Sequence, residues 1–462
     1  MKWTKKPLLT ILGTALLLSA CSTNSADKNA ANLPNADAGK SGEQVTLNAV
    51  MLGATWGEAT QELAKQYEKE TGVKVNVELV GRDVIYQKLA LSIAGQANYD
   101  LFNVDYNWIP EFASTESLYP LDDFIKKNNM DTSKYLPRAL ALTQWNGKNG
   151  SFGNGGTIYG LPQTIHPHVL WYRSDLFNDE TMKKEFKAQF GYDLAPPKTM
   201  KQFQEAAQFF NGKTVNGQKL YGWAAQGSKG FGNVHTWLTF MYSNGADVIN
   251  WDKMTSSLST PEAVEATKTW VDLLKYSPPG VNDYTFAEVA SDAAQGKLAM
   301  AIHWSWSAFE VDDPKKSKTV GKWDFVQVPE MKQSVPHLAG WADVIPKTSK
   351  HPEEAFKFMA WLENKQNDVT QAKMGAGDPV RTESYADPSL IDMKIEGTDV
   401  KKFRRYTALQ GAMKTAKARP FFPQEEKWES TVSEYLSAAQ LKQITVEEAL
   451  KKADEAVNKM LK

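Results

Sequence analysis

The sequence predicts an α/β protein whose folded body consists of two lobes of helix-covered sheet, and three observations lead there. Of 462 residues, about 420 lie beyond a polar N-terminal stretch, more than one hydrophobic core usually supports. Short apolar segments of strand character alternate with helical patterns, the order that builds parallel sheets. The alternation occurs in two separate sets, one ending near Val104 and one running from Val169 to His303. In such sheets ligands gather at the carboxyl ends of the strands, so strand exits are the places to look for functional side chains.

The chain opens with Lys2, Lys5 and Lys6, an apolar run from Leu8 to Leu18, and Leu18-Ser19-Ala20 directly before Cys21. This is the pattern of a secretory leader, too short for a permanent membrane helix. The ending resembles the lipobox of bacterial lipoproteins, which implies cleavage of 1–20 and acylation of Cys21, an anchor facing the outside of the cell membrane. Residues 21–43 hold mostly Ser, Asn, Asp, Ala and Gly and read as a flexible tether with little to bury.

In the body, Val45 to Met51 reads as a buried strand, Ala59 to Thr71 as a helix stopped by Gly72, and Val73, Val75, Val77 and Leu79 as a half-buried strand of period two. Tyr99 to Val104 is the next strand. Gln144 to Gly156, rich in Gly and Asn, reads as an exposed loop. Val169 to Tyr172, Leu220 to Ala225 and Leu298 to His303 are strands of the second set, with helices at Met200 to Phe210 and Pro261 to Leu274 between them. Thr260 before Pro261 suits a helix start, and Thr445 with Glu448 forms a capping box for a last helix running towards Leu461.

Composition excludes several function classes. Cys21 is the sole cysteine, so with it acylated there is no disulfide, cysteine metal site or thiol nucleophile. With 53 basic and 54 acidic residues the chain carries no excess of positive charge with which to hold nucleic acid. Beyond the leader no apolar stretch is long enough to span a membrane. Gly212-Lys213-Thr214 has the ending of a phosphate-binding loop, yet it follows a helix and lacks the first glycine. No nucleophile elbow or zinc-protease helix is present, and no catalytic residue or cofactor site is expected. The acid pairs Asp122-Asp123, Asp312-Asp313 and Glu353-Glu354 read as solvated faces or helix starts.

Six segments in order carry a family resemblance: YGLPQTIHPHVLWYRSDLF from Tyr159, PKTMKQFQEAAQFF from Pro197, AQGKLAMAIHWSW from Ala294, HPEEAFKFMAWLE from His351, GDPVRTESYADP from Gly377 and ITVEEALKKADEAV from Ile444. Together they resemble the family 1 extracellular solute-binding proteins of ABC importers, relatives of maltose-binding protein, over essentially the whole body. The resemblance implies a two-lobed periplasmic-binding-protein-like fold with a ligand cleft between discontinuous lobes. It places chain crossings near Thr164 to His168, Ser305 to Phe309 and Lys347 to His351. One lobe would then comprise 44–165 plus 308–348, and the other 166–307 plus 349–462. The implied partners are the membrane permease subunits of the importer and a carbohydrate or polyol ligand; a monomer is expected.

A sugar asks a cleft for flat aromatic faces and fixed polar groups. Trp56 follows the first strand, Asp105 and Tyr106 follow another, and His166 stands at the first crossing. Trp304 and Trp306 follow the strand Leu298 to Ile302, where the family motif implies a tryptophan on the sugar, matching Trp306. Trp341 and Asp343 occupy a similar position. His235, Trp237, Arg381 and Trp428 join them on the resemblance alone. Trp171, Trp270 and Trp361 sit inside apolar patterns and read as core. Asp105 also reads as a helix cap before Trp108, and Arg381 as a loop anchor. His166 and His168 flank Pro167 like a metal pair, but no third ligand is clustered with them. Two other readings stay open: a lipid-anchored glycan-degrading enzyme, with two carboxyls facing across a sugar, and a binder of a non-carbohydrate solute.

Overall fold

The computed structural model describes residues 45–150 and 155–462. The leader, Cys21 and the tether lie outside the described residues, as does the 151–154 part of the loop from Gln144 to Gly156. Among the described residues no helix is long and apolar enough to cross a membrane.

The first set of elements is β1 (Thr46–Leu52), α1 (Thr55–Thr71), β2 (Lys74–Val80), α2 (Arg82–Ile93) and β3 (Leu101–Asp105). β1 pairs in parallel with β2 on one side and β3 on the other. α1 stops where Gly72 takes a left-handed φ of 76°, a conformation glycine adopts without cost. It starts four residues earlier than the sequence pattern suggests. Gly57 allows this: a Cβ there would sit 2.0 Å from the Leu52 carbonyl oxygen, so only glycine lets the helix begin so close to β1.

The central element is β4 (Gly160–Arg173), fourteen residues, buried apart from Tyr172. At about 3.3 Å per residue it is roughly 46 Å long, enough to serve both halves of the body. α3 (Met200–Phe210), β5 (Tyr221–Ala224), α4 (Phe231–Ser243), α5 (Pro261–Leu273) and β6 (Leu298–Trp304) follow. Then come β7 (Trp323–Val326), β8 (His337–Val344), α6 (Pro352–Leu362), α7 (Tyr406–Ala412), β9 (Lys417–Ala418), α8 (Glu425–Gln440) and α9 (Val446–Met460). The main sheet runs β2-β1-β3-β8-β4-β6-β5, with β7 on β4 and β9 on β8. It is mixed rather than parallel, because β8 runs antiparallel to β3 and β4, and β4 antiparallel to β6 and β7.

The expected first crossing, near Thr164 to His168, falls inside β4, whose Gly160–Pro167 portion pairs with β8 and whose His168–Tyr172 portion pairs with β6. Two other boundaries are corrected. The chain has not changed sides at 308, because Trp323–Val326 pairs with Leu170–Arg173 beside β6; the return falls between Val326 and His337. Nor does 349 begin the carboxyl-terminal side. The apolar face of α6, Phe356, Phe358, Met359 and Leu362, is buried with Leu47, Ala49, Leu63 and Leu101 of the first set. The chain rejoins the other half by α7, where Ala408 and Ala412 pack with Trp171 and Trp323.

The carboxyl-terminal core gathers Trp223, Trp237, Trp270 and Trp428, all fully buried. Trp361 is only half-buried: its indole N–H donates to Glu70 Oε2 at 2.9 Å while its ring lies against Tyr67 and Phe358, so it caps a helix pair instead of filling a core. At α9 the Thr445 hydroxyl accepts from the Glu448 N–H at 3.1 Å. The Glu448 carboxylate turns instead to Lys452, at 2.8 Å.

Candidate functional site

Between the two halves of the sheet lies a cavity of about 410 Å³. Its walls are aromatic. Trp56 comes from the first turn of α1, Trp304 and Trp306 from the end of β6 and the turn after it, Trp341 from β8, Phe231 from the start of α4, and Phe286 from the start of the helix Phe286–Ala294. Trp56 meets Trp306 edge to face with centroids 5.2 Å apart, and Trp341 at 6.1 Å with the planes tilted 41°. Phe286 lies 5.7 Å from Trp306.

The orientation of Trp56 is fixed by a ring of buried hydrogen bonds. Its indole N–H donates to Asn103 Oδ1 at 3.1 Å, and Asn103 Nδ2 donates to Gln163 Oε1 at 2.7 Å and Asp343 Oδ1 at 2.8 Å. Gln163 Nε2 donates to the Thr60 hydroxyl, which donates back to the Trp56 carbonyl. Asp343 therefore lies behind the wall and supports it. Burial pushes its carboxyl up to about 7, against the hydrogen bond from Asn103.

Polar groups enter from Asp105, Arg82, His166 and His235. Asp105 fills both roles read from the sequence: Oδ1 caps the turn after β3 by accepting from the Asn107 N–H at 3.1 Å, and the same carboxylate lines the cavity. Burial alone would raise its pKa, but the guanidiniums of Arg419, at 2.6 Å, and Arg82, at 3.6 Å, outweigh burial and hold it below the ordinary value. Arg419 also donates to His235 Nε2 at 2.7 Å, which requires that nitrogen to be unprotonated. Burial, reinforced by Arg419, keeps His235 neutral.

Around Trp304 stand four imidazoles: His168 at 4.0 Å between centroids, His166 at 5.1 Å, His235 at 5.3 Å and His337 at 5.6 Å. Burial drives each of their pKa values down, His166 to about 3. His168 bonds the Thr239 hydroxyl through Nδ1 at 2.9 Å, and its ring lies under Trp304. Among the described residues, Glu425, Glu426 and Glu429 come close enough together to hold a cation. Two guanidiniums already answer them: Arg82 pairs with Glu426 and Glu429, and Arg419 with Glu425 and Glu429.

The structure thus brings Trp56, Asp105, His166, His235, Trp304, Trp306 and Trp341 to one cavity. It places five sequence candidates elsewhere. Tyr106 packs its ring against Gly340, where a Cβ would approach within 2.2 Å of the ring, and donates its hydroxyl to the Thr164 carbonyl at 3.0 Å. Asp343 is the support described above. Trp237 lies in the core with its N–H on the Thr267 hydroxyl at 2.7 Å, two residues from His235 and so on a different face of α4. Trp428 is buried in the core of the carboxyl-terminal half. Arg381 anchors its loop, through Glu383 at 3.2 Å and the Glu363 carbonyl at 3.2 Å. Sequence reading missed Arg82, Arg419, Asn103, Phe231 and Phe286. Arg82 directly follows Gly81 at the exit of β2, so the strand-exit rule could have found it; the others are brought in by tertiary packing.

A body whose two sheet halves enclose an aromatic cavity, with a long strand common to both, is the two-lobed architecture of a solute-binding protein. The chain belongs to the bacterial extracellular solute-binding protein family, whose model matches residues 53–369. It is similar to a maltooligosaccharide ABC transporter solute-binding lipoprotein of Streptococcus pneumoniae, 27% identical over 372 residues that cover 76% of this chain and 75% of the relative. In fold it resembles an ABC transporter solute-binding protein of Agrobacterium radiobacter K84 in complex with ribitol, with TM-score 0.77, 23% identity and coverage of 90% and 98% of the two chains. One from Thermotoga lettingae bound to α-D-tagatose gives TM-score 0.76, 25% identity and coverage of 91% and 100%.

Proposed function

We propose that this protein captures a neutral, hydroxyl-rich solute, a sugar, short oligosaccharide or polyol, between the two halves of its body and delivers it to the permease subunits of an ABC importer. The observation that carries the reading is the cavity wall: four tryptophans and two phenylalanines, with Asp105, His166 and His235 as polar groups among them. Aromatic faces suit the C–H surfaces of a sugar, and fixed polar groups suit its hydroxyls. Arg82 and Arg419 are both engaged by carboxylates, so an anionic solute would find no free cation there. A carbohydrate-cleaving enzyme would need a carboxyl with raised pKa at the cavity to protonate the leaving group. Asp105 is instead held ionised.

Cleavage after Ala20, acylation of Cys21 and a tether over 21–43 would keep the body near the permease on the outer face of the membrane, as a monomer. The lipoprotein relative in Streptococcus pneumoniae supports that placement. A thermal-shift screen against sugars, alditols and their acidic derivatives tests the solute class. A neutral ligand at about 100 times its Kd is expected to stabilise by roughly 2.7 kcal/mol. Stabilisation by sugar acids alone would overturn the reading.

A further inference from the structure

The cavity is open on the side where Gly53, Gly81, Asp83 and Val84 are exposed. On that side Arg82, which itself lines the cavity, reaches from α2 to α8 in the other half of the body. Its guanidinium makes two parallel hydrogen bonds to Glu426, at 3.0 and 2.8 Å, and a third to Glu429 at 3.2 Å. The Trp108 indole N–H donates to the same Glu426 oxygen at 2.8 Å, and the guanidinium lies 4.9 Å from the centre of the Trp108 ring. The Arg82 side chain is 12% exposed, so this bridge is partly withdrawn from solvent and is held by planar, bidentate geometry. It both ties the two halves together and borders the mouth.

Resting on the carbohydrate reading above, we propose that the Arg82–Glu426–Glu429 bridge limits the length of the ligand. One or two sugar rings, or an alditol of similar size, are admitted, and longer chains are not; Arg82 is the specificity-determining residue. Two features point this way. The cavity is compact, about 410 Å³, and Arg82 borders it on its open side. A longer chain has to leave through the mouth, and there it meets an ion-paired strut that spans both halves. Displacing the strut would strip the bidentate partner from Glu426 and one partner from nearly buried Glu429.

The test is a set of oligosaccharide ladders, glucose to maltotetraose, mannose to mannotetraose and N-acetylglucosamine to chitotetraose, with ribitol and mannitol added, measured by thermal shift and calorimetric titration. Parent protein is expected to bind monomer, dimer or alditol and to lose at least tenfold in affinity at the trimer. Arg82→Ala should recover at least tenfold for that trimer. Glu426→Gln, which weakens the strut from the far side without touching the cavity lining, should act in the same direction and carries the test if Arg82→Ala folds poorly. Equal binding of trimer and monomer by the parent, or an unchanged ladder in both variants, overturns the length limit and leaves the carbohydrate reading standing. No binding of any ladder member or alditol by the parent overturns the carbohydrate reading itself.

Discussion

Trp56 and Trp306 stand edge to face at one end of the cavity, 5.2 Å between centroids and 88° between planes, one carried by the first helix and the other by the turn after β6. The two rings are thus in contact across the boundary between the two halves of the body.

Trp306→Ala is expected to weaken binding of the cognate sugar or polyol by about 2 to 4 kcal/mol, the range of a buried aromatic anchor, and, because the ring is 4% exposed and packed against Trp56 and Phe286, to lower the unfolding midpoint as well. Calorimetric titration beside urea unfolding checks it. A variant that binds like the parent would remove Trp306 from the site.

Trp237→Ala should lose stability and keep affinity. The ring is fully buried on the core face of α4 and its N–H is satisfied by Thr267, so truncation should cost about 3 to 5 kcal/mol of stability while the folded fraction keeps its affinity. A loss of affinity without loss of stability would return Trp237 to the binding surface.

Asp343 carries a pH signature. Its folded pKa, raised to about 7, lies above the ordinary carboxyl value, so the folded state binds an extra proton between about pH 4 and 7. Stability from this group is therefore complete at low pH and lost as pH rises through 7. Asp343→Asn should match the parent near pH 4 and exceed it at pH 8, as read from urea midpoints. A variant less stable at pH 8 would contradict the assignment.

His303, buried against Trp171, has its pKa pushed down by burial to about 3. The unfolded chain takes up its proton below about pH 6.5 and the folded chain does not, so acid destabilises. His303→Leu should reduce the slope of stability against pH by about 1.4 kcal/mol per pH unit between about pH 6 and 4. Parallel pH profiles for parent and variant would contradict it.

Cys21→Ala should abolish recovery of the protein with membranes, and mass spectrometry of the parent should find an acylated Cys21 as the mature first residue. A different mature N-terminus would end the lipoprotein reading.

Much of the architecture was legible because apolar period and capping chemistry are local. Met200–Phe210 begins and ends where the pattern puts it, and Thr260 caps α5 through the Ala263 N–H. Sheet direction was not legible, since β8 and β4 pair antiparallel through residues nearly two hundred positions apart. The lobe assignments slipped for the same reason: Trp323–Val326 looks like any short strand until its partner, Leu170–Arg173, is known. In the cavity, strand-exit logic found Trp56, Asp105, His166, Trp304 and Trp306. It could not tell a ring that faces the cavity from one that faces the core, which is why Tyr106 stood among them, whereas Trp237 rested on the family resemblance alone. Arg419 stood in no motif, and its place beside Asp105 depends on the whole chain closing back on itself.

A strand that runs unbroken from Gly160 to Arg173 through both halves also sets the mechanics of the molecule. Two bodies on a slack connector can separate freely, whereas two bodies sharing one hydrogen-bonded strand can only bend and twist about it, as plates joined by a torsion bar. Any opening of the mouth must be absorbed near His166 to His168, where β8 gives way to β6 as the neighbour of β4. That places the pivot directly beneath the Trp304 ring, so the floor of the cavity is also the axle on which its walls turn.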